Sequence, residues 1–225
     1  MGYILNQINI VHINIRGLRT SKTELNLLIN ERQPHVITIN ETFLKPHVKF
    51  SIPNYTIFRK DRRNRPNGGV AILTHQQLPA TEVELPKQFE GLEAITVKIH
   101  IPNWPLYVST IYNPPESQLP TNLISHLSSF HKSILLTDII AQHHILGDHP
   151  LHNNSLGLEL ATLLRNSNFI NVTLLGPTRF PQRNGEIVSS PDKILATNPI
   201  YNHGRSDLTL IRLLDYPKAR NLYLG

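Results

Sequence analysis

Apolar residues fall along this chain in short runs separated by proline, glycine, asparagine and aspartate, and seldom in the long stripes of amphipathic helices. Runs with the length and β-branched content of strands are Ile8–Ile15, Val36–Ile39, Tyr55–Phe58, Gly69–Leu73, Ala94–Ile101, Leu106–Tyr112, His144–Leu146, Ile187–Leu195 and Leu208–Leu213. Helical spacing is confined to three segments. Ser21-Lys22-Thr23-Glu24 reads as a capping box, in which the serine hydroxyl and the glutamate each satisfy an orphan amide, and opens a helix through about Asn30. Leu123–Phe130 and Leu156–Asn166 are the other two.

Many strands with few helices predict an α+β fold. The expected architecture is a four-layer α/β/β/α sandwich, two mainly antiparallel sheets packed face to face and flanked by helices. No repeat, heptad pattern or linker divides the chain, so residues 1–225 are expected to form a single domain around one core. Composition agrees with a packed domain, since 40% of residues are apolar.

Charge adds a partner class. A formal net charge of +6 and a pI near 9.7 attract polyanions, the footprint of nucleic-acid binders and of many ordinary basic proteins. The chain has no cysteine, which removes disulfides, thiolate zinc sites and cysteine nucleophiles. No stretch is apolar for the ~18 residues a membrane span needs, and no secretory leader pattern opens the chain. The expectation is an intracellular protein with no membrane partner, nuclear when it acts on DNA.

The chemistry lies where apolar runs stop at polar residues. Asn14 stands in Ile13-Asn14-Ile15-Arg16-Gly17, Glu41 in Ile39-Asn40-Glu41-Thr42, Asn113 after Ile111-Tyr112, Asp148 after Ile145-Leu146-Gly147, and Asp192 before Lys193-Ile194-Leu195. Strand ends on one edge of a sandwich bring such groups together. Mg²⁺ requires oxygen ligands, and phosphoryl transfer requires that cation with a group to activate water, which these residues supply. Each position alone is more simply a turn-forming residue at a strand end, and it is the set that points to this chemistry.

In chain order these segments resemble the endonuclease/exonuclease/phosphatase family, over about Ile8 to Leu213, and most of all its non-LTR retrotransposon endonucleases. His12-Ile13-Asn14-Ile15-Arg16-Gly17-Leu18 is similar to the opening W-N-x-R-G-L strand, and Ile39-Asn40-Glu41-Thr42-Phe43-Leu44 to the Q-E-T-x-L metal motif. Arg59-Lys60-Asp61-Arg62 with Asn67-Gly68-Gly69-Val70-Ala71-Ile72 is similar to the R-x-D-R…G-G-G-V-A-I hairpin, and Ser109-Thr110-Ile111-Tyr112-Asn113-Pro114-Pro115 to S-x-Y-x-P-P. The resemblance implies a metal-dependent phosphodiesterase nicking target DNA with Mg²⁺, or Mn²⁺ in its place. Glu41 would bind the metal with Asn14 beside it, Tyr112 would hydrogen-bond the scissile phosphate, Asp148 would orient or deprotonate water, and Asp192 would match the late D-x-I-L aspartate. Such endonucleases usually precede a reverse transcriptase, so a reverse-transcriptase region of a longer polyprotein is the further partner implied.

Two departures stand against this pattern. Gly147-Asp148-His149-Pro150 lies where the family has G-D-F-N-A-H, and Pro150 to Gly157 resembles its following P-L-W-x-x-x-x-G. A short deletion after Asp148 would account for this and removes the phosphate-contacting asparagine; Asn153 and Asn154 lie too far downstream to replace it. Ser206-Asp207-Leu208 keeps the aspartate of S-D-H at Asp207, with leucine in place of the phosphate-contacting histidine. Loss of two such groups predicts weak or absent catalysis on a retained fold.

The basic run Arg59, Lys60, Arg62, Arg63 and Arg65 is expected in a hairpin loop beside the site, gripping DNA phosphates. Among the 12 histidines, His143-His144, His149 and His152 invite zinc, yet adjacent histidines on a strand face opposite ways. No Gly-x-Ser-x-Gly elbow or P-loop is present, so serine hydrolysis and nucleoside triphosphatase chemistry lack a motif. A small-molecule phosphatase of the same fold is the remaining alternative.

Overall fold

The computed structural model describes residues 8–63, 65–101, 105–115, 117–146, 153–172, 192–197, 200 and 208–211. One sheet holds β1 (Ile8–Asn14), β2 (Val36–Asn40), β3 (Tyr55–Lys60), β4 (Val70–His75) and β11 (Leu208–Ile211), in the order β11-β1-β2-β4-β3. The other holds β5 (Ala80–Glu82), β6 (Glu93–Ile99), β7 (Leu106–Tyr112), β8 (Ser133–Asp138), β9 (Phe169–Asn171) and β10 (Asp192–Thr197), in the order β5-β6-β7-β8-β10-β9. The pairs β1–β11, β1–β2 and β7–β8 are parallel and the other neighbours antiparallel.

Three apolar layers hold the four structural ones together. Between the sheets lie Ile8, Ile10, Val36, Ile72, Val97 and Leu136 with their neighbours. The helix α1 (Lys22–Arg32) sets Leu25 against Val11, Ile13, Ile37, Ile39 and Leu73 on the outer face of the first sheet. Helices α2 (Thr121–Ser128) and α3 (Ser155–Arg165) set Leu123, Ile124, Leu127 and Leu160 against Leu135 and Leu195 on the outer face of the second. This is the expected α/β/β/α sandwich. Among the described residues no helix is long and apolar enough to cross a membrane.

Several local expectations are corrected. His144–Leu146 forms a 3-10 turn, not a strand; a run that short does not distinguish the two by pattern. The rings of His143 and His144 therefore lie against each other, with centroids 4.2 Å apart and planes tilted by 32°, and do not face opposite ways. Ser21 makes no side-chain capping bond, so the capping box is not formed, and its hydroxyl reaches back to the Ile15 carbonyl at 3.3 Å. The strands β5, β8 and β9 arise from segments without a strand assignment in the sequence.

Side chains alternate across a strand, and the rows facing the opposite sheet change character along their length. On β1 the row runs Ile8, Ile10, His12, Asn14; on β2 Val36, Thr38, Asn40; on β7 Leu106, Val108, Thr110, Tyr112; on β8 Ile134, Leu136, Asp138. The antiparallel strands arrive reversed, with Glu93 opening β6 and Asp192 opening β10. Each row is apolar at one end of the sandwich and polar at the other. Asn40 closes the floor beneath the polar end: its amide donates to the Ile111 carbonyl at 3.1 Å and its oxygen accepts from Thr110 at 2.9 Å, tying the sheets together.

Candidate functional site

Asn14 is the hub of the polar end. Its Nδ2 donates to Glu41 Oε1 at 2.9 Å and to Asp138 Oδ2 at 2.6 Å, so one carboxamide from the first sheet joins a carboxylate of each sheet. Two acceptors fix the orientation of the amide, because only its NH₂ can serve both. Asn14 Oδ1 is left buried, with no hydrogen-bond partner among the described residues. Glu41 reaches this position because the chain turns sharply after β2, with Glu41 at φ 55° and Phe43 at φ 53°. Left-handed backbone is uncommon for such residues and is held in place from outside. Here Gly17 N–H bonds the Glu41 carbonyl at 2.9 Å, and Phe43 N–H bonds the Gly68 carbonyl at 2.8 Å.

Tyr112 points its half-buried ring into the same cluster. Burial pushes its hydroxyl well above the ordinary tyrosine range, the Glu41 and Asp138 carboxylates add to this, a hydrogen bond to Glu41 contributes, and Arg62 opposes it. The phenol stays protonated and able to donate. Asp192 opens β10 directly across from Asp138 in the strand register. Its Oδ1 lies 3.7 Å from Nε2 of His12, and the other ring nitrogen of His12 bonds Thr38 Oγ1 at 2.8 Å. Burial holds His12 down at about 3, so the ring is neutral at ordinary pH.

Among the sequence-derived residues, Asn14, Glu41, Tyr112 and Asp192 thus converge. Asp148 and Asp207 lie outside the described residues. Leu208, next to Asp207, pairs with Ile8 at the end of β1 remote from Asn14, so the last strand does not begin at the cluster. The residue missed by the sequence reading is Asp138, the carboxylate nearest Asn14. Its signal is the run Ser133-Ile134-Leu135-Leu136-Thr137 ending in aspartate, the same pattern used for the other strands. From Asp138 the chain reads Ile139-Ile140-Ala141-Gln142-His143, which places Ile140 two residues on, where G-D-F-N-A-H carries asparagine. Reading G-D-F-N-A-H from Asp138 requires no deletion and has isoleucine in place of the asparagine.

Asn154 is occupied in structural bonds. Its oxygen accepts from Gly157 N at 2.7 Å and Gln142 N at 3.0 Å, and its amide donates to the Ile140 carbonyl at 2.7 Å, so it caps α3 and fastens the loop after Asp138. A cavity of about 160 Å³ lies between Asn113, Pro114, Ile140 and Asn154.

The basic run divides. Arg59 donates to the Pro46 and Val48 carbonyls and pairs with Asp61 at 3.3 Å. Lys60 is half-buried, its pKa lowered by burial against the raising effect of Glu90, Glu82 and Glu93. Arg62 pairs with Glu93 and lies over the Tyr112 ring. Only Arg63 and Arg65 of the five are exposed.

Among the described residues no three histidine, aspartate or glutamate side chains form a ready cation cage. Mg²⁺ commonly takes one or two carboxylates and keeps several waters. The orphaned Asn14 oxygen between two carboxylates fits such an ion.

No family model matches the chain, and no curated protein matches it. Solved structures do. The endonuclease domain of TRAS1, a telomere-specific non-LTR retrotransposon, aligns with a TM-score of 0.68 at 15% identity, covering 85% of this chain and 86% of that one. A 3′ phosphatase from Neisseria bound to product DNA hairpin aligns with a TM-score of 0.65 at 13% identity, covering 85% and 88%. An AP endonuclease from Archaeoglobus fulgidus aligns with a TM-score of 0.61 at 13% identity, covering 85% and 88%. With its two sheets, flanking helices and polar end, the chain has the endonuclease/exonuclease/phosphatase fold, that of nuclease-type phosphodiesterases.

Proposed function

We propose that this chain is a divalent-metal-dependent phosphodiesterase of the retrotransposon endonuclease type, acting on duplex DNA and impaired in catalysis. The observation that carries the reading is Asn14 bridging Glu41 and Asp138 beside the protonated hydroxyl of Tyr112. Glu41 and Asn14 would hold Mg²⁺, or Mn²⁺ in its place, and the ion when bound neutralises charge on a phosphoryl oxygen. Tyr112 donates to the scissile phosphate. Asp138 takes the water-orienting role that sequence alone attaches to Asp148, because a carboxylate that accepts from Asn14 is fixed in direction. Asp192 supports Asp138 from the adjacent strand. Arg63 and Arg65 supply salt-sensitive contacts to the DNA backbone. The parent protein on this reading is a polyprotein with a reverse-transcriptase region.

Purified protein is expected to convert supercoiled plasmid to open circle slowly with Mg²⁺, and Glu41→Ala to abolish the conversion. Nicking equal in both proteins would refute a Glu41-dependent site.

A second reading, DNA binding without cleavage, is favoured by Ile140. An aliphatic side chain at the position of a phosphate-contacting amide cannot donate to the transition state, and one such donor is worth about two to three orders of magnitude in rate. Wild-type protein that binds duplex yet never nicks it would select this reading.

A further inference from the structure

We propose that Arg62 is a positioning residue, which clamps the Tyr112 ring and takes up the charge of Glu93, and that it makes no contact with phosphate. In sequence Arg62 belongs to the densest cationic run of the chain. In the fold its head turns inward, from the β3–β4 hairpin onto the second sheet. Nε donates to Glu93 Oε1 at 2.6 Å, a second guanidinium nitrogen pairs with the same carboxylate, and the guanidinium carbon lies 5.5 Å from the centre of the Tyr112 ring. The other Glu93 oxygen accepts from Gly69 N at 2.5 Å, so one carboxylate binds both ends of the hairpin loop.

The loop is built to allow this. Asn67, Gly68 and Gly69 all have positive φ, at 63°, 74° and 82°. A side chain at Gly68 would occupy the space of the Arg62 guanidinium, so the backbone turns back against Arg62 only because that position has none.

Two consequences follow for the cluster. Glu93 and Tyr112 are register partners on β6 and β7, which places Glu93 at the mouth of a site already holding Glu41, Asp138 and Asp192. An unpaired Glu93 would be a further carboxylate competing for any cation there, and Arg62 withdraws it. A guanidinium over an aromatic face also contributes attraction, more so when partly desolvated. It thereby fixes the ring whose hydroxyl bonds Glu41. A planar fork is suited to both contacts at once, whereas an ammonium is a single point charge.

The relevance of this clamp to catalysis rests on the phosphodiesterase reading, so two independent measurements separate the two ideas. In the first, affinity for a short DNA duplex is measured against salt concentration for the wild type and for Arg62→Met, Arg63→Met and Arg65→Met. The slope of log K on log salt is expected to fall by about one in each of the latter two. It stays unchanged in Arg62→Met; a loss there equal to that of Arg63→Met would overturn the proposal. In the second, the protein is labelled with ring-¹³C tyrosine, and the Tyr112 signals are identified by their loss in Tyr112→Phe. Arg62→Met and Glu93→Gln are expected to move or broaden the same Tyr112 signals. The double variant should go no further than either single one, and Arg62→Lys should restore them only in part. Should Arg62→Met fail to fold, Arg62→Lys and Glu93→Gln carry the test. Tyr112 signals unmoved in those variants would overturn the clamp. Absence of any duplex binding would refute the DNA reading, while the tyrosine spectra would still decide the role of Arg62.

Discussion

Asn14 and Asp138 are 124 residues apart in the chain and 2.6 Å apart in space. The contact joins the last residue of β1 to the last residue of β8, across the seam between the sheets. It makes Asp138 the second-sheet carboxylate that Asn14 holds, the one to which the proposed function gives the water-orienting role. Divalent binding, followed by Mn²⁺ titration, is therefore expected to weaken by roughly tenfold or more in Asp138→Asn, the range seen when a partner of a metal ligand is removed. Asp148→Ala should leave it unchanged. The reverse outcome would return the role to Asp148.

The same register changes what would restore lost chemistry. If the asparagine is substituted and not deleted, Ile140→Asn alone supplies the missing donor. Ile140 is only partly buried and borders a cavity of about 160 Å³, so a smaller polar side chain is accommodated. Plasmid nicking by Ile140→Asn is expected to exceed wild type by about two orders of magnitude. An insertion of Phe-Asn-Ala-His after Asp148 should bring no gain. Equal activity of Ile140→Asn and wild type, in protein that still binds Mn²⁺, would remove Ile140 as the cause of impairment.

What could be read from the sequence follows from how strands encode their faces. The inward rows of β1, β2 and β7 each end in a polar residue and that of β10 begins with one, and that pattern discloses Asn14, Tyr112 and Asp192, with Glu41 just beyond β2. Asp138 obeys the same rule. Gly147-Asp148, after another short apolar run, resembles the opening of G-D-F-N-A-H more closely than Thr137-Asp138 does. The choice between the two aspartates decides whether the segment is read with a deletion or with a substitution. Arg59 and Arg62 differ from Arg63 and Arg65 in a way that sequence does not display: charge is visible in sequence, but the carbonyls and the carboxylate that engage it come from the loop after β2 and from β6. Only tertiary structure separates Arg62 from Arg63.

Acid should destabilise the fold through histidines held neutral. Nδ1 of His35 accepts from Asn9 N at 3.0 Å, so protonation there would set a proton against a donor. Burial, and then the nearby His75, lower the His35 pKa below 6.5, and burial holds His12 at about 3. The folded protein thus refuses protons that the unfolded chain accepts below about pH 6.5. Stability is full above that value and declines as pH falls toward the folded pKa values. The urea midpoint is expected to drop between pH 7.5 and pH 5. His35→Asn, whose side-chain oxygen can still accept from Asn9, should lose part of that drop. Superimposable pH profiles for wild type and His35→Asn would exclude a contribution from His35.

Gly69 is the position where the loop geometry of the site should be most exposed to a single methyl group. Its φ is 82°, and an added Cβ would lie 2.6 Å from Thr42 Oγ1, whose residue also donates its amide to the Gly69 carbonyl at 3.1 Å. Its own amide holds Glu93 at 2.5 Å. Gly69→Ala therefore meets a left-handed backbone cost of about 1–2 kcal/mol, a close contact with a buried side chain, and displacement of the Glu93 anchor. Gly91 is the matched control, since its Cβ would meet nothing within 4 Å and its φ is not in the positive range. Gly69→Ala is expected to lower unfolding free energy by about 2 kcal/mol or more in urea titration. Gly91→Ala should stay within about 0.5 kcal/mol. If the loss in Gly69→Ala comes from the Glu93 anchor as well as from φ, it should shrink when measured in a Glu93→Gln background, because the carboxylate that the amide held is already gone. A loss of the same size in both backgrounds would assign the whole effect to the backbone conformation and the Thr42 contact.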